Sequence, residues 1–193
     1  MAKEIYFVTT NPLKAKMTKS TLAKYGIKVI QKNTKLPEIQ SLSGQEVCEY
    51  TAKYAREVLN KPVVITDVSY SILALNGFPG PFVKFINKWL SAQNILKMME
   101  EKTNRKMIIT EYLSYCDEKK LKTFKTEISC RIAQKILNNR KGTTFDKITI
   151  REGTDIPQNM LDRNTLERLF RKKMENWESF GRWFLKRFEK AKN

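Results

Sequence analysis

Residues 4 to 16 read EIYFVTTNPLKAK, and the change of pattern inside them sets the fold class. The first six, apolar and β-branched around Ile5, Phe7 and Val8, read as a strand. Pro12 suits the first turn of a helix, and Leu13, Met17, Thr21 and Tyr25 then recur at every fourth position until Gly26 stops it. A strand, a polar turn and a helix open an α/β unit. Lys14 stands beside the helix N-terminus, where unpaired backbone amides gather, an arrangement suited to an anion. An ordinary strand-to-helix turn with a solvated lysine is the commoner reading of this stretch taken alone.

Working outward, KVIQ at 28 to 31 predicts a short strand, and the loop KLPEIQ that follows carries Glu38. Ser43 with Glu46 three residues later makes a capping box, behind which Val47, Thr51, Tyr54 and Val58 align on one helical face as far as about Asn60. PVVIT at 62 to 66 predicts a buried strand finishing at Asp67, at the carboxyl end of a sheet, where ligand sites of open α/β sheets gather. LNGFPGP at 75 to 81 is a turn-rich loop, and residues 82 to 101 read as helix. KMIITEYLSYC, LKTFKTEISCRI and FDKITI predict three further strands of a more antiparallel part. One long helix closes the chain, with Leu166, Phe170, Met174, Trp177, Phe184 and Phe188 near helical spacing.

Composition bounds the chemistry. With 193 residues, 41% of them hydrophobic, the chain can build one sizeable core, and a single domain over 1–193 is expected. No apolar run approaches the roughly 20 residues of a membrane span. The Met-Ala-Lys-Glu start lacks the apolar core of a signal peptide, so a cytoplasmic location is expected. Cys48, Cys116 and Cys130 never stand as CxxC and read as buried free thiols. Histidine is absent, which excludes a Ser-His-Asp triad, an HExxH zinc site and histidine acid/base work. Carboxylates with a hard cation, lysines and backbone amides remain, and magnesium fits that list. The formal charge of +17 favours polyanionic partners, nucleotide or nucleic acid, though a solvated basic surface accounts for it as well.

Several segments together resemble the inosine triphosphate pyrophosphatase family, nearest its archaeal members. They are FVTTNPLK near the start, LPEIQ at 36 to 40, PVVITD at 62 to 67 and ALNGFPGPFVKF at 74 to 85, with YCDE at 115 to 118 and FDKI at 145 to 148 matching more weakly. The resemblance implies an α/β fold with an elongated, twisted mixed sheet flanked by helices, two lobes with a central cleft, and a homodimer. It implies magnesium-dependent hydrolysis of a nucleoside triphosphate to the monophosphate and pyrophosphate, with inosine and xanthosine bases preferred. Carried over by position, Thr9, Asn11 and Lys14 match the phosphate-holding turn, Glu38 a metal-binding glutamate, and Asp67 the second acid of a pair that binds magnesium and is implicated in activating water. Lys53 and Lys84 match lysines that reach the substrate. Phe145 and Asp146 match an aromatic-Asp pair beside the base, a position in which Phe145 fits a core role equally well. Arg171 matches a base-recognition arginine.

The motifs are also eroded. TDVSY at 66 to 70 places Thr66 where the family's first acid stands, and Val68 and Ser69 at its Ser-Gly positions. Leu13 precedes the phosphate-turn lysine in place of a small residue, and Met17 stands for a glutamate. Thr143 and Thr144 stand for glycines, Thr165 for a substrate lysine, and Leu169 and Phe170 for the serine and histidine of the base-recognition motif. A catalytically impaired member that binds nucleotide or nucleic acid is therefore the alternative expectation, and a phosphohydrolase acting on another phosphorylated compound a third.

Overall fold

The computed structural model describes residues 3–137 and 140–190, with the side chains of 170–173, 188 and 190 outside the description. Its elements are β1 (Glu4–Val8), α1 (Pro12–Ala23), β2 (Lys28–Lys32), α2 (Gly44–Leu59), β3 (Val63–Ile72), β4 (Phe78–Gly80), α3 (Val83–Trp89), α4 (Ala92–Met98), β5 (Lys106–Cys116), β6 (Leu121–Ile132), β7 (Thr149–Arg151), α5 (Arg163–Lys173) and α6 (Glu175–Lys190). Among the described residues the seven strands form one mixed sheet in the order β2-β1-β3-β5-β6-β7, with β4 beside β3. β1 runs parallel to β2, Glu4 opposite Lys28 and Val8 opposite Lys32, and parallel to β3 at Tyr6 and Phe7. Parallel neighbours need a crossover, which α1 and α2 supply.

The chain divides into two compact units: residues 1–67, 111–126 and 171–193, and residues 68–110 and 127–170. In the first, α6 lays Trp177, Phe180 and Phe184 against Ile5, Phe7, Leu22, Val64, Leu113 and Tyr115. Phe7 meets Trp177 edge-on at 4.9 Å, and Tyr115 meets Phe184 at 5.6 Å in the same manner, the aromatic geometry that adds to the area buried. A smaller cluster joins Cys48, Ala52 and Ala55 of α2 to Val63, Ile65 and Cys116. In the second unit Ile72, Ile95, Met99, Met107, Ile109, Phe145 and Ile148 form the core.

Several sequence expectations are corrected. The inward face of α1 is Ala15, Thr18, Thr21 and Leu22; of the expected series Thr21 is buried and Tyr25, just past the helix, packs on the core, but Leu13 is 55% exposed. A strict spacing of four advances about 40° around the helix at each step, so the series starts exposed at Leu13 and reaches the buried side at Thr21. On α2, Val47 and Thr51 are buried but Tyr54 and Val58 are exposed; Cys48, Ala52 and Ala55 complete the stripe. β3 does not end at Asp67. The LNGF turn folds β4 back so that Tyr70, Ser71 and Ile72 pair with Gly80, Pro79 and Phe78, which holds the strand extended to Ile72. Residues 82–101 form two short helices, because Leu90 is extended and Ser91 starts α4 in a capping box with Asn94. The closing helix is also two, and Glu175 with Glu178 marks the first turn of the second. In FDKITI only Thr149 and Ile150 belong to a strand. Cys48, Cys116 and Cys130 are buried and form no disulfide among the described residues.

Candidate functional site

In the first unit the turn after β1 is pinned on both sides. Thr9 donates its amide to the Lys32 carbonyl at 3.0 Å, and its own carbonyl accepts from the Gln31 side chain at 3.0 Å. Asn11 caps α1: its Oδ1 accepts from the amides of Leu13 at 3.0 Å and Lys14 at 3.1 Å, while its own amide donates to Thr9 Oγ1 at 3.2 Å. The expectation of free amides at this N-terminus is thereby corrected. The cap takes up two of the donors that an anion would use, and Pro12 has none. What the turn presents outward is the ammonium of Lys14, an exposed residue.

Glu38 is exposed on the loop after β2, between Leu36, which packs on the α2 cluster, and the start of α2. Its neighbour Pro37 offers its carbonyl to the buried Thr51 hydroxyl at 3.5 Å, which ties the loop to the helix. The predicted capping box of α2 is relayed through a third side chain. Ser43 Oγ accepts from the Glu46 amide at 3.3 Å, but the Glu46 carboxylate accepts from Ser41 Oγ at 2.6 Å, and that oxygen accepts from the Ser43 amide at 2.9 Å. Lys53 lies exposed farther along α2.

Asp67 is half-buried inside β3. It lies near Cys48: burial, with the Asp67 charge as a lesser cause, pushes the Cys48 thiol up to about 12. That thiol therefore stays protonated and is no nucleophile at neutral pH. Among the described residues no cluster of three or more His, Cys, Asp or Glu side chains could hold a metal alone. Glu38 and Asp67 supply two carboxylates, the number with which magnesium is commonly held when substrate phosphates complete its oxygen shell. The donor chemistry of the first unit fits that shared mode and not a dedicated protein cage.

In the second unit Lys84 is exposed in the first turn of α3. Phe145 is 1% exposed and meets Tyr70 edge-on at 5.1 Å, and its amide donates to Asn87 Oδ1 at 3.2 Å. Of the two roles open to it, the ring fills the core one here. Asp146 is held by a reciprocal cap, its Oδ2 accepting from the Thr143 amide at 2.9 Å while its amide donates to Thr143 Oγ1 at 3.2 Å. Its Oδ1 accepts from Gln158 Nε2 at 3.2 Å, and Gln158 Oε1 in turn accepts from the buried Arg151 guanidinium. Sequence reasoning missed this arrangement, although the Thr-x-x-Asp spacing of residues 143 to 146 is a capping-box signature. Arg151 and Gln158 gave no such signal, since only folding brings them together. Arg171 is in α5, and its side chain lies outside the described residues.

The fold and these side chains define an α/β protein with a mixed sheet whose available chemistry is that of carboxylates and lysines without histidine. The chain belongs to the Ham1 family, whose model matches residues 5–165. It is 37% identical over 153 residues to a protein of Methanopyrus kandleri named dITP/XTP pyrophosphatase, covering 79% of this chain and 81% of the relative. A protein of the same name from Thermococcus kodakarensis is 33% identical over 149 residues, covering 77% and 80%. The solved Staphylococcus aureus Ham1 protein superposes with a TM-score of 0.71 at 20% identity, covering 99% of this chain and all of that one. The last likeness establishes the mixed α/β architecture.

Proposed function

We propose that the protein is a magnesium-dependent nucleoside triphosphate pyrophosphatase that hydrolyses inosine- or xanthosine-type triphosphates to the monophosphate and pyrophosphate. The observation that carries this reading is the capped turn of residues 9 to 14, a rigid strand-to-helix junction with Lys14 outermost, in a chain related at 37% identity to a named dITP/XTP pyrophosphatase. In this reading Lys14, with Lys53 and Lys84, offsets phosphate charge, and Thr9 and Asn11 keep the turn in register. Glu38 and Asp67 would hold magnesium, which when bound neutralises phosphate oxygens and lowers the cost of charge moving onto the leaving pyrophosphate. Asp67 orients a water and accepts its proton as the water attacks. Asp146 contributes to base recognition through its fixed carboxylate, and Arg171 through its guanidinium. Homodimerisation and a cytoplasmic location complete the reading.

Thr66 favours a second reading. With one acid of the pair missing, a family member that binds nucleotide or nucleic acid while turning over weakly is the alternative, and the +17 charge suits it. The test is pyrophosphate release from inosine, xanthosine, guanosine and adenosine triphosphates with magnesium, with and without chelator, beside Asp67→Asn. Chelator-sensitive release that falls by about 100-fold or more in the variant supports the proposal. Release that the variant leaves unchanged removes Asp67 from the site. Nucleotide binding without release from any substrate selects the second reading.

A further inference from the structure

A cavity of about 240 Å³ in the first unit, away from the turn of residues 9 to 14 in sequence, is lined by Arg56, Asn60, Lys61, Pro62, Asp117, Glu118, Lys119 and Arg187. Its charges are four cations against two carboxylates, and the two carboxylates are already engaged. Asp117 accepts four hydrogen bonds: Oδ1 from the amides of Lys119 at 2.9 Å and Lys120 at 2.8 Å, and Oδ2 from the Tyr115 hydroxyl at 2.7 Å and Arg187 Nη1 at 2.6 Å. Burial alone would push its carboxyl up, but the Arg187 hydrogen bond and then Tyr115 outweigh it and hold it below the ordinary carboxylate range. Glu118 pairs with Arg56 at 3.1 Å. Lys61 and Lys119 are in no ion pair within 4.0 Å among the described residues, and Lys61 acts on Glu4 only through space, as the smallest of the causes that lower its carboxyl.

Arg187 is also held in place from its flank, its guanidinium 5.6 Å from the Tyr115 ring and 5.7 Å from the Trp183 ring. A fixed, stacked arginine spends little conformational entropy when it gains a further acceptor. The C-terminal end of α2 turns its negative pole toward this region, and Arg56 in the last turn with Lys61 beyond it counters that pole. The volume is below the range of drug-sized pockets, which suits a small ligand.

We propose that this cavity binds a small phosphate-bearing anion, with Lys61 and Lys119 supplying charge held in no ion pair and Arg187 the guanidinium hydrogens that its Nη1 bonds to Asp117 and Tyr115 leave over. Inorganic phosphate and pyrophosphate share the required chemistry, and the pocket is distinct in its residues from the proposed catalytic set, so its test does not depend on turnover.

The experiment is calorimetric titration of the full chain with phosphate and, separately, with pyrophosphate, carried out in Lys14→Gln so that the turn of residues 9 to 14 contributes least. Saturable binding of one equivalent is expected in that background, weakened about tenfold or more by Lys61→Gln with Lys119→Gln. The equal charge change made at Lys97→Gln with Lys106→Gln should leave it within a factor of two or so, because screened charges outside the cavity act weakly. Tighter pyrophosphate than phosphate would identify two linked phosphoryl groups as the preferred form, and the reverse a single phosphoryl group. No saturable binding in the Lys14→Gln background overturns the proposal. So does an equal loss in the Lys97 and Lys106 variant, which would mean the net charge acts diffusely.

Discussion

Two turns carry candidate ligand residues, and they spend their polar side chains in opposite ways. At residues 9 to 14 the side chains of Thr9 and Asn11 absorb backbone amides, and the charged group Lys14 is left facing outward. At residues 143 to 146 the backbone and Gln158 absorb the carboxylate of Asp146, and the aromatic group Phe145 is left facing inward. The first turn is built to hold its shape while offering a charge; the second is built to hold its shape with the very groups that would otherwise be offered. The same local device, a short polar side chain closing on nearby backbone, therefore gives a residue that can be changed without harm to the fold in one place and residues that cannot in the other.

The largest effect expected from this contrast is at Phe145. Removing a fully buried ring costs about 3–5 kcal/mol, so Phe145→Ala should lower the unfolding free energy by that amount, read as a fall in the urea midpoint at unchanged slope. A variant of near-normal stability with a raised KM for nucleotide would break the contrast, since the ring would then be a ligand and not core.

Lys14→Gln should behave in the reverse sense. The ammonium is exposed and carries no packing role, so thermal stability should stay within a few tenths of a kcal/mol, as for most surface substitutions. Loss of one charge-assisted contact to phosphate corresponds to about 1.5–3 kcal/mol, or roughly ten- to a hundredfold in kcat/KM. A fall in stability with intact kinetics would assign Lys14 to the helix alone.

How much of this was legible in advance follows from the range of the interactions. The strand, turn and helix of residues 4 to 23 were legible because each signal is local: β-branched residues, Asn-Pro, then a helix start. β5 and β6 fell on the residues expected, Lys106–Cys116 and Leu121–Ile132. The inward face of α1 was only partly legible, since an every-fourth series beginning at Leu13 competes with the set Ala15, Thr18 and Leu22, and only the packing against β2 and α6 chooses between them. The passage of β3 beyond Asp67 was not legible. That extension is created by pairing with β4, a contact made after the chain has turned through Asn76 and Gly77, both at positive φ. For the site, residue types and order were legible, while the state of each donor was not. Asn11 could be read as a phosphate contact or as a cap, and the sequence of Thr9-Thr10-Asn11-Pro12 suits both.

Asn11 also supplies the smallest and most discriminating test. As the cap of α1 it satisfies the amides of Leu13 and Lys14, and replacing such a residue by glycine costs only a few tenths of a kcal/mol, against about 1 kcal/mol for alanine. Asn11→Gly therefore opens two amides at the helix N-terminus at little cost to the fold. If Asn11 acts on phosphate only by shaping the turn, the freed amides can turn to the ligand and KM for nucleotide should change by no more than about twofold, with Asn11→Ala separating from it by stability alone. If its amide group touches phosphate directly, both variants should lose affinity to the same extent, because both lack that group while differing in the helix they leave behind. Comparing the two substitutions in one assay thus decides whether the outward lysine is the turn's single contribution to the ligand or one of two.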